Sequence, residues 1–219
     1  MFIAHFGLGL GAKRAAPAIS LGALFLACQL ADLLWPTLVL LGIEQVAVEP
    51  GVTVVTPLNF VSYPYSHSLL MLAVWGAFFA AAYAAVTRLR VSAAIALALL
   101  VVSHWVLDVI THRPDLPLTP FGAERFGFNL WASVRGTLIV EFGIFAVGVW
   151  LYLRATTARD RVGSAGFWAL VVFLVVVMIA NVFGPPPPNV AAVAWTVESM
   201  WLLVLWGSWI DRHRYPRGI

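Results

Sequence analysis

One apolar segment carries a histidine and an aspartate at a spacing that suits a shared metal ion. Residues 103–112 read SHWVLDVITH, which places His104 and Asp108 four positions apart. Positions i and i+4 lie on the same face of an α-helix, so both side chains point to the same side. Imidazole nitrogen with carboxylate oxygen is a ligand set that suits zinc, with manganese or iron as alternatives. His112 continues that face by one turn, into the following loop.

Further ionisable residues lie inside apolar segments, at a similar depth. At about 1.5 Å per residue, four of them lie about 18–21 Å from the cytoplasmic ends of their segments: Asp32, His104, Glu141 and Glu198. Asp108 lies about 6 Å further out. His67 lies near the outer end of its segment, and His5 belongs to a short apolar stretch at the N-terminus. Ionisable groups at such depths are costly and mark a functional site by default.

These residues predict a site for one or two divalent metal ions, preferably zinc. The candidate ligands are His67, His104, Asp108, Asp32 and His5. The candidate catalytic residues are Glu141 and Asp115 as proton carriers, Arg113 as a partner for phosphate, and His112. Structural interpretations stay open, because Glu141 or Glu198 alone fits a hydrogen bond between helices, and Arg113 fits an interfacial anchor equally well. His5 and His67 also suit a terminal surface and an interfacial cap.

The composition identifies the environment that must position these residues. Of 219 residues, 62% are hydrophobic and 11% are charged, whereas soluble domains are about 45–50% apolar and 25% charged. This excludes a soluble enzyme, a disordered chain and a nucleic-acid-binding protein. Cys28 is the only cysteine, so neither a disulfide nor a thiolate metal site is available within one chain. The chain is predicted to be an all-α integral membrane protein.

Six segments are long enough to cross the bilayer, which takes about 20 apolar residues. They are residues 19–41, 68–87, 91–111, 136–153, 167–184 and 190–210. Residues 1–11 are too short to cross and are predicted to be half-inserted or interfacial. Of the 13 Lys and Arg residues, ten fall on the side that contains the N-terminal region, so both termini are predicted to be cytoplasmic.

The remaining organisation follows from these spans. We predict a single membrane domain over residues 1–219, with a metal-site region at 1–153 and an additional helical hairpin with a cytoplasmic tail at 154–219. Two long loops, about 42–66 and 112–135, face outward, and their length and aromatic content predict ordered, functional lids. The β-branched residues of 51–57 suit a short hairpin. Gly7 and Gly11 have a small-xxx-small spacing, which allows two helices to approach closely.

The pattern resembles the bacterial inner-membrane family described as membrane-bound metal-dependent hydrolases. That family has an N-terminal His, an Asp that ends the next apolar run, a T-H-S-like motif and a later S-H-x-x-x-D helix. Over about residues 1–120 these correspond to His5, Asp32, residues 66–68 (SHS) and residues 103–108 (SHWVLD). The order of these ligands is also distantly similar to zinc-dependent phospholipase C enzymes. Two family ligands are missing, because Leu34 and Ser62 replace an Asp and a His.

Three functions fit this sequence. The resemblance implies a metal-dependent hydrolase, and the deep site between two aromatic loops suits a phosphoester in a lipid-linked substrate at the outer leaflet. The intramembrane acids also suit a metal- or proton-coupled transporter, although neither an inverted repeat nor a pair of broken helices is evident. A non-catalytic membrane assembly protein would not need these groups to be aligned. We predict a hydrolase, embedded in the bacterial inner membrane as a multi-pass protein.

Overall fold

The computed structural model describes residues 1–88 and 90–217, and its main elements are helices. They are α1 (Ile3–Ala12), α2 (Leu21–Cys28), α3 (Leu30–Leu40), α4 (Pro64–His67), α5 (Leu69–Thr87), α6 (Val91–Thr111), α7 (Val134–Ala155), α8 (Arg161–Phe183), α9 (Val190–Glu198) and α10 (Trp201–Arg212). Several begin where the sequence offers a side-chain oxygen to a free backbone amide. These N-caps are Ser20, Ser68, Ser133, Asp160 and Asn189. The last two residues of the predicted tail, 218 and 219, lie outside the described residues.

The helices account for the six predicted spans. Within the described residues, five stretches are long and apolar enough to cross a membrane: α5, α6, α7, α8 and Val190–Arg212, which contains α9 and α10. The sixth predicted span corresponds to the pair α2 and α3, which passes the same test only when taken together and bends by 58° at Gln29, so the structure shows five to six spans. The membrane-spanning, mainly helical architecture is therefore confirmed, and the bend is a feature that the apolar run from 19 to 41 did not indicate.

The short N-terminal helix α1 is buried inside the bundle. It packs on α7 at glycines: a Cβ on Gly148 would lie 1.9 Å from the Gly7 carbonyl oxygen, and a Cβ on Gly7 would lie 2.7 Å from the Cα of Phe145. Gly11 also faces Gly148, because a Cβ on Gly11 would lie 3.7 Å from the Cα of Gly148. The glycine spacing thus produces the close helix approach that it predicted. The helix is inserted between its neighbours, and it does not lie on the surface.

Two loops cover one end of the bundle, which we call the hairpin end. In the first loop, β1 (Gln45–Val48) pairs antiparallel with β2 (Leu58–Ser62), and the predicted hairpin residues 51–57 form the turn between them. In the second loop, β3 (Leu116–Pro117) pairs antiparallel with β4 (Arg125–Phe126). A small core beneath the loops joins them to α3 and α9, and its buried members are Trp35, Val46, Tyr63, Leu116 and Val193.

The second loop also closes the C-terminal end of α6. The amides of Phe128 and Asn129 donate to the carbonyl oxygens of Val109 and His112, at 2.7 Å each. A Cβ on Gly127 would lie 2.4 Å from the His112 carbonyl oxygen, so only glycine permits this approach. These contacts fix the position of His112 at the edge of the bundle.

At the opposite end, which we call the tail end, the chain after α10 is held against the bundle. Strand β6 (Arg214–Pro216) pairs antiparallel with β5 (Thr156–Ala158), between α7 and α8. The buried Lys13 forms an ion pair with Asp211, at 2.9 Å between Nζ and Oδ1. Residues 13, 156–158 and 211–216 therefore share one end, in agreement with their predicted common side of the membrane. Cytoplasmic placement of that end stays a prediction from the charge distribution.

Candidate metal centre

Four histidine side chains converge on Asp108 near the hairpin end of α6. The Nε2 atoms lie at these distances from the nearest Asp108 carboxylate oxygens: His5 3.0 Å, His104 3.2 Å, His112 3.8 Å and His67 4.0 Å. Asp108 is 1% exposed, and the four histidines are buried as well. The sequence distance between His5 and His112 shows that this cluster is a tertiary feature. Four of the five predicted metal ligands and His112 are thus brought together.

Asp32, the fifth predicted ligand, lies on the other side of the same cluster. Its Oδ1 is 3.4 Å from His67 Nε2 and 3.8 Å from His104 Nε2. Two overlapping groups of ligand atoms result, one of His5, His104 and Asp108 and one of Asp32, His67 and His104. Because His104 belongs to both groups, they are adjacent and share one ligand side chain.

The bend in the first span orients His104. Helix α2 ends at Cys28, and the Cys28 carbonyl oxygen accepts a hydrogen bond from His104 Nδ1 at 2.8 Å. A proton on Nδ1 leaves Nε2 as the free, lone-pair nitrogen. In the described part of the chain, that buried Nε2 faces Asp108 Oδ2 at 3.2 Å, but without the alignment of a hydrogen bond, and it has no other partner. An acceptor behind one ring nitrogen is the usual arrangement around a metal-binding histidine.

His67 is oriented through a serine and a buried glutamate. Its Nδ1 lies 2.7 Å from Ser66 Oγ, and Ser66 Oγ donates to Glu44 Oε2 at 2.6 Å. Glu44 also accepts from the backbone amides of Tyr65 and Ser66, at 2.8 and 2.9 Å. Sequence reasoning missed Glu44, and the available signal was a single acid directly after the first span, in residues 42–45 (GIEQ).

His112 has a carboxylate behind it. Asp115 Oδ1 lies 3.0 Å from His112 Nδ1 and accepts from the Tyr63 hydroxyl at 2.8 Å. Burial lowers the pKa of His112 and raises that of Tyr63, which favours a neutral imidazole and a protonated phenol. Arg113 donates to Asn59 Oδ1 at 2.7 Å and lies 3.5 Å from Asp115 Oδ2, so it joins the second loop to strand β2.

Glu141 holds the start of α1 in place. Its two carboxylate oxygens accept from the backbone amides of Phe2 and Ala4, at 2.8 and 2.9 Å. The Met1 amino group contacts Asp108. These bonds satisfy amides that the first turn of a helix leaves free, and they place His5 beside Asp108. Both carboxylate oxygens of Glu141 are thus engaged by backbone amides. Its role as a proton carrier stays a prediction.

The cluster fits a divalent metal ion in its donors and in its dimensions. Every candidate ligand offers imidazole nitrogen or carboxylate oxygen, which are the donors of zinc, manganese and iron sites. Ligand atoms about 2.0–2.2 Å from a tetrahedral ion lie roughly 3.3–3.6 Å from one another. The distances between histidine Nε2 and aspartate oxygen atoms, 3.0–4.0 Å, lie around that value. The five ligands that the sequence predicts are therefore compatible with one or two ions.

Other polar residues of the chain lie apart from this cluster. Glu198 contacts the Thr37 hydroxyl between α9 and α3. His213 lies at the tail end, where its Nδ1 is 2.8 Å from Asp160 Oδ2. Cys28 is a buried free thiol, and it contributes to the site only through its carbonyl oxygen.

Comparison with known proteins relates the whole site to one family. The family model described as YdjM inner membrane protein matches residues 3–184. The matched range contains every candidate ligand, and it extends past residue 120, where the resemblance seen in the sequence ended, through α8. No curated protein and no solved structure matches the chain.

Proposed function

This chain belongs to the YdjM inner membrane protein family, and we propose that it is a membrane-embedded metal-dependent hydrolase. It is a multi-pass inner-membrane protein, which agrees with the resemblance seen in the sequence. The proposal concerns the chemistry of the Asp108 cluster and its substrate. The substrate that we propose is a phosphoester within a lipid-linked molecule, approached from the hairpin end.

The observation that carries this proposal is the convergence of four Nε2 atoms on one buried carboxylate. Three of these histidines have an oxygen atom behind Nδ1: the Cys28 carbonyl, Ser66 Oγ and Asp115 Oδ1. A purely structural histidine would use both nitrogens within the protein, whereas His104 Nε2 has no hydrogen-bond partner in the described residues. An oriented but unpaired nitrogen, together with three other Nε2 atoms directed at the same carboxylate, indicates a ligand.

Asp108, Asp32 and the histidines His5, His67 and His104 would hold the ion, with His112 beside them. A divalent ion bound there supplies water whose pKa is lowered to about 7, which is a nucleophile at neutral pH. Asp115 is placed to carry a proton away, because it is hydrogen-bonded to His112 and to Tyr63. Glu44 and Cys28 act behind His67 and His104, where they keep each Nε2 directed at the cluster.

The surroundings of the site suit an amphipathic substrate. The second loop at the hairpin end exposes Phe121 and Phe128 at 89% and 78%. Large apolar side chains that are exposed together mark a surface that contacts a membrane, a ligand or a partner. A substrate with an apolar tail in the bilayer and a polar head beneath these loops would reach the cluster from the hairpin end.

The proposal is tested by metal analysis and turnover in one preparation. Protein purified in detergent and loaded with zinc is incubated with a panel of phospholipids and lipid phosphates, and water-soluble product is measured. We expect His104→Ala to lose both the bound zinc and turnover. His213→Ala is the matched control, because that histidine lies at the tail end, and it should retain both. Turnover that survives loss of His104 and Asp108 together would refute the hydrolase.

A metal- or proton-coupled transporter is the second candidate, and the bent first span favours it. Discontinuous helices with free backbone groups form the ion sites of many transporters. The α2–α3 pair bends by 58° beside Asp32, and both amide atoms of the buried Gln29 have no partner in the described residues. Proton or zinc flux in proteoliposomes that depends on Asp32, without hydrolysis of any lipid, would favour the transporter.

A further inference from the structure

A small cavity at the hairpin end lies between the two loops, and one of its lining residues, Asp115, contacts the metal cluster. It has a volume of about 70 Å³ and is lined by Tyr63, Asp115, Arg125, Val61, Pro117 and Pro120, among others. Because one water requires roughly 10–15 Å³ of cavity, this space suits a small polar headgroup and is too small for a whole lipid. Asp115 lines the cavity. It is also hydrogen-bonded to His112, which lies in the metal cluster.

Arg125 gives the cavity an available cation. Its Nη1 donates to the carbonyl oxygens of Gly122 and Glu124, at 2.9 and 3.0 Å. These bonds fix the guanidinium without neutralising it, and no carboxylate lies within ion-pair distance of it in residues 1–88 and 90–217. A guanidinium has five N–H donors in a planar fork, so it can still receive two oxygens of one phosphate.

The charge of Asp115 does not oppose an anion here, because the protein already compensates it. Asp115 accepts from the Tyr63 hydroxyl and from His112, and Arg113 lies 3.5 Å from its second oxygen. Arg113 is thereby engaged within the protein, and its role on phosphate stays a prediction. Arg125 is the arginine that faces the cavity without a carboxylate partner.

We propose that this cavity binds the phosphate of an amphiphile headgroup, with Arg125 as its main electrostatic partner. The inference rests on the proposed function, since it names the recognition site for that substrate. Apolar side chains beside the cavity fit the adjoining part of an amphiphile: Val61 is 57% exposed, and Pro120 precedes the exposed Phe121.

Binding is measured on the full chain in detergent, in the His104→Ala background, so that zinc cannot contribute an anion site. The probes are dioctanoyl-phosphatidylglycerol, dioctanoylglycerol, which lacks the phosphate, and inorganic phosphate. We expect the phospholipid to bind, Arg125→Gln to weaken it by about tenfold or more, and dioctanoylglycerol not to bind. Arg135→Gln is the matched control, because Arg135 begins α7 at the same end and is exposed; it should change affinity less than about twofold.

The outcomes separate this inference from the proposed hydrolase. Equal affinity of Arg125→Gln and the parent, or equal binding of dioctanoylglycerol, overturns the inference even where the His104-containing protein hydrolyses lipid. Inorganic phosphate that binds as tightly as the phospholipid overturns the assignment to an amphiphile. Arg125-dependent phospholipid binding supports the inference, including in a protein without hydrolytic turnover.

Discussion

Buried charged groups occur at both ends of this bundle, but their partners differ. At the tail end, Lys13 Nζ binds the Ile19 carbonyl oxygen and Asp211. Arg214 donates to Thr156 Oγ1 and to the Gly163 carbonyl oxygen, at 3.0 and 2.8 Å. At the hairpin end, His104 Nε2 and His5 Nδ1 lack hydrogen-bond partners in the described part of the chain. The two tail-end cations are satisfied within the protein, whereas these two imidazole nitrogens at the hairpin end are not.

This difference separates a structural role from a functional one. Buried polar groups are nearly always hydrogen-bonded in native proteins, and each exception needs an explanation. The tail-end cations join α1, α7, α8 and α10 through bonds within the protein. At the hairpin end, four histidine Nε2 atoms converge on Asp108, and His104 Nε2 among them has no aligned partner in the described residues. Mutations should therefore affect stability at one end and metal binding at the other.

The largest expected effect comes from a residue on which the hairpin-end cluster depends indirectly. Gly148→Leu places a side chain where Cβ alone would lie 1.9 Å from the Gly7 carbonyl oxygen. Because backbone cannot yield, α1 must leave α7 and take His5 with it. We expect a loss of about 3 kcal/mol or more in stability and loss of bound zinc, measured by thermal unfolding in detergent and by metal analysis. A Cβ on Gly143 meets nothing within 4 Å, so Gly143→Leu is the control, and equal behaviour of the two variants would contradict this packing.

The next effect concerns metal binding alone. Glu44→Gln weakens the acceptor for Ser66 and so the orientation of His67, and loss of such supporting partners typically costs about 10–100-fold in metal affinity. Zinc affinity is measured by competition with a chromophoric chelator. Glu124→Gln is the matched control, because Glu124 is an exposed acid in the second loop at the same end. Unchanged zinc affinity in Glu44→Gln would show that the relay to His67 is not used.

The tail end should give the opposite result. Arg214→Met keeps an apolar stem beside Tyr152 and Phe167, whose ring centroids lie 5.2 Å from the guanidinium, but it removes the bonds to Thr156 and Gly163. We expect a loss of about 1 kcal/mol in stability with unchanged zinc content. Arg212→Met, at the exposed end of α10, should leave the unfolding midpoint nearly unchanged. A loss of zinc in Arg214→Met would contradict the distinction between a structural tail end and a metal-binding hairpin end.

The smallest effect is expected at the exposed N-cap of α8. Asp160 accepts from His213 and from the Gly163 amide, and the His213 hydrogen bond, with the backbone bonds, lowers the pKa of Asp160. A carboxylate with a lowered pKa contributes stability above its unfolded pKa and loses it as the pH falls. Asp160→Ala should lower the unfolding midpoint slightly at pH 7, with a difference that shrinks below about pH 4. Asp160→Asn should retain most of the stability that the cap provides. A larger decrease of the unfolding midpoint in Asp160→Asn than in Asp160→Ala would contradict the capping role.

Much of the fold could be predicted from the sequence because the bilayer imposes simple rules. Runs of about 20 apolar residues must form helices that satisfy their own backbone, and the predicted spans agree with the observed helices to within a few residues, apart from α8, which begins at Arg161. The i, i+4 spacing of His104 and Asp108 fixes their common face through local geometry alone. The glycine spacing in α1 indicated a close contact, but it did not identify α7 as the partner.

What the sequence by itself determined is the environment, the helical spans and the residue types that meet at one depth. What only the tertiary structure decided is the partner of each of those residues. The bend at Gln29 frees the Cys28 carbonyl for His104, Glu44 reaches Ser66 across a hairpin, and Glu141 binds the backbone of α1. Local periodicity reports which face of a helix a residue occupies, whereas these bonds join positions 22 to 137 residues apart. Their formation depends on how whole helices pack, and no short-range pattern records it.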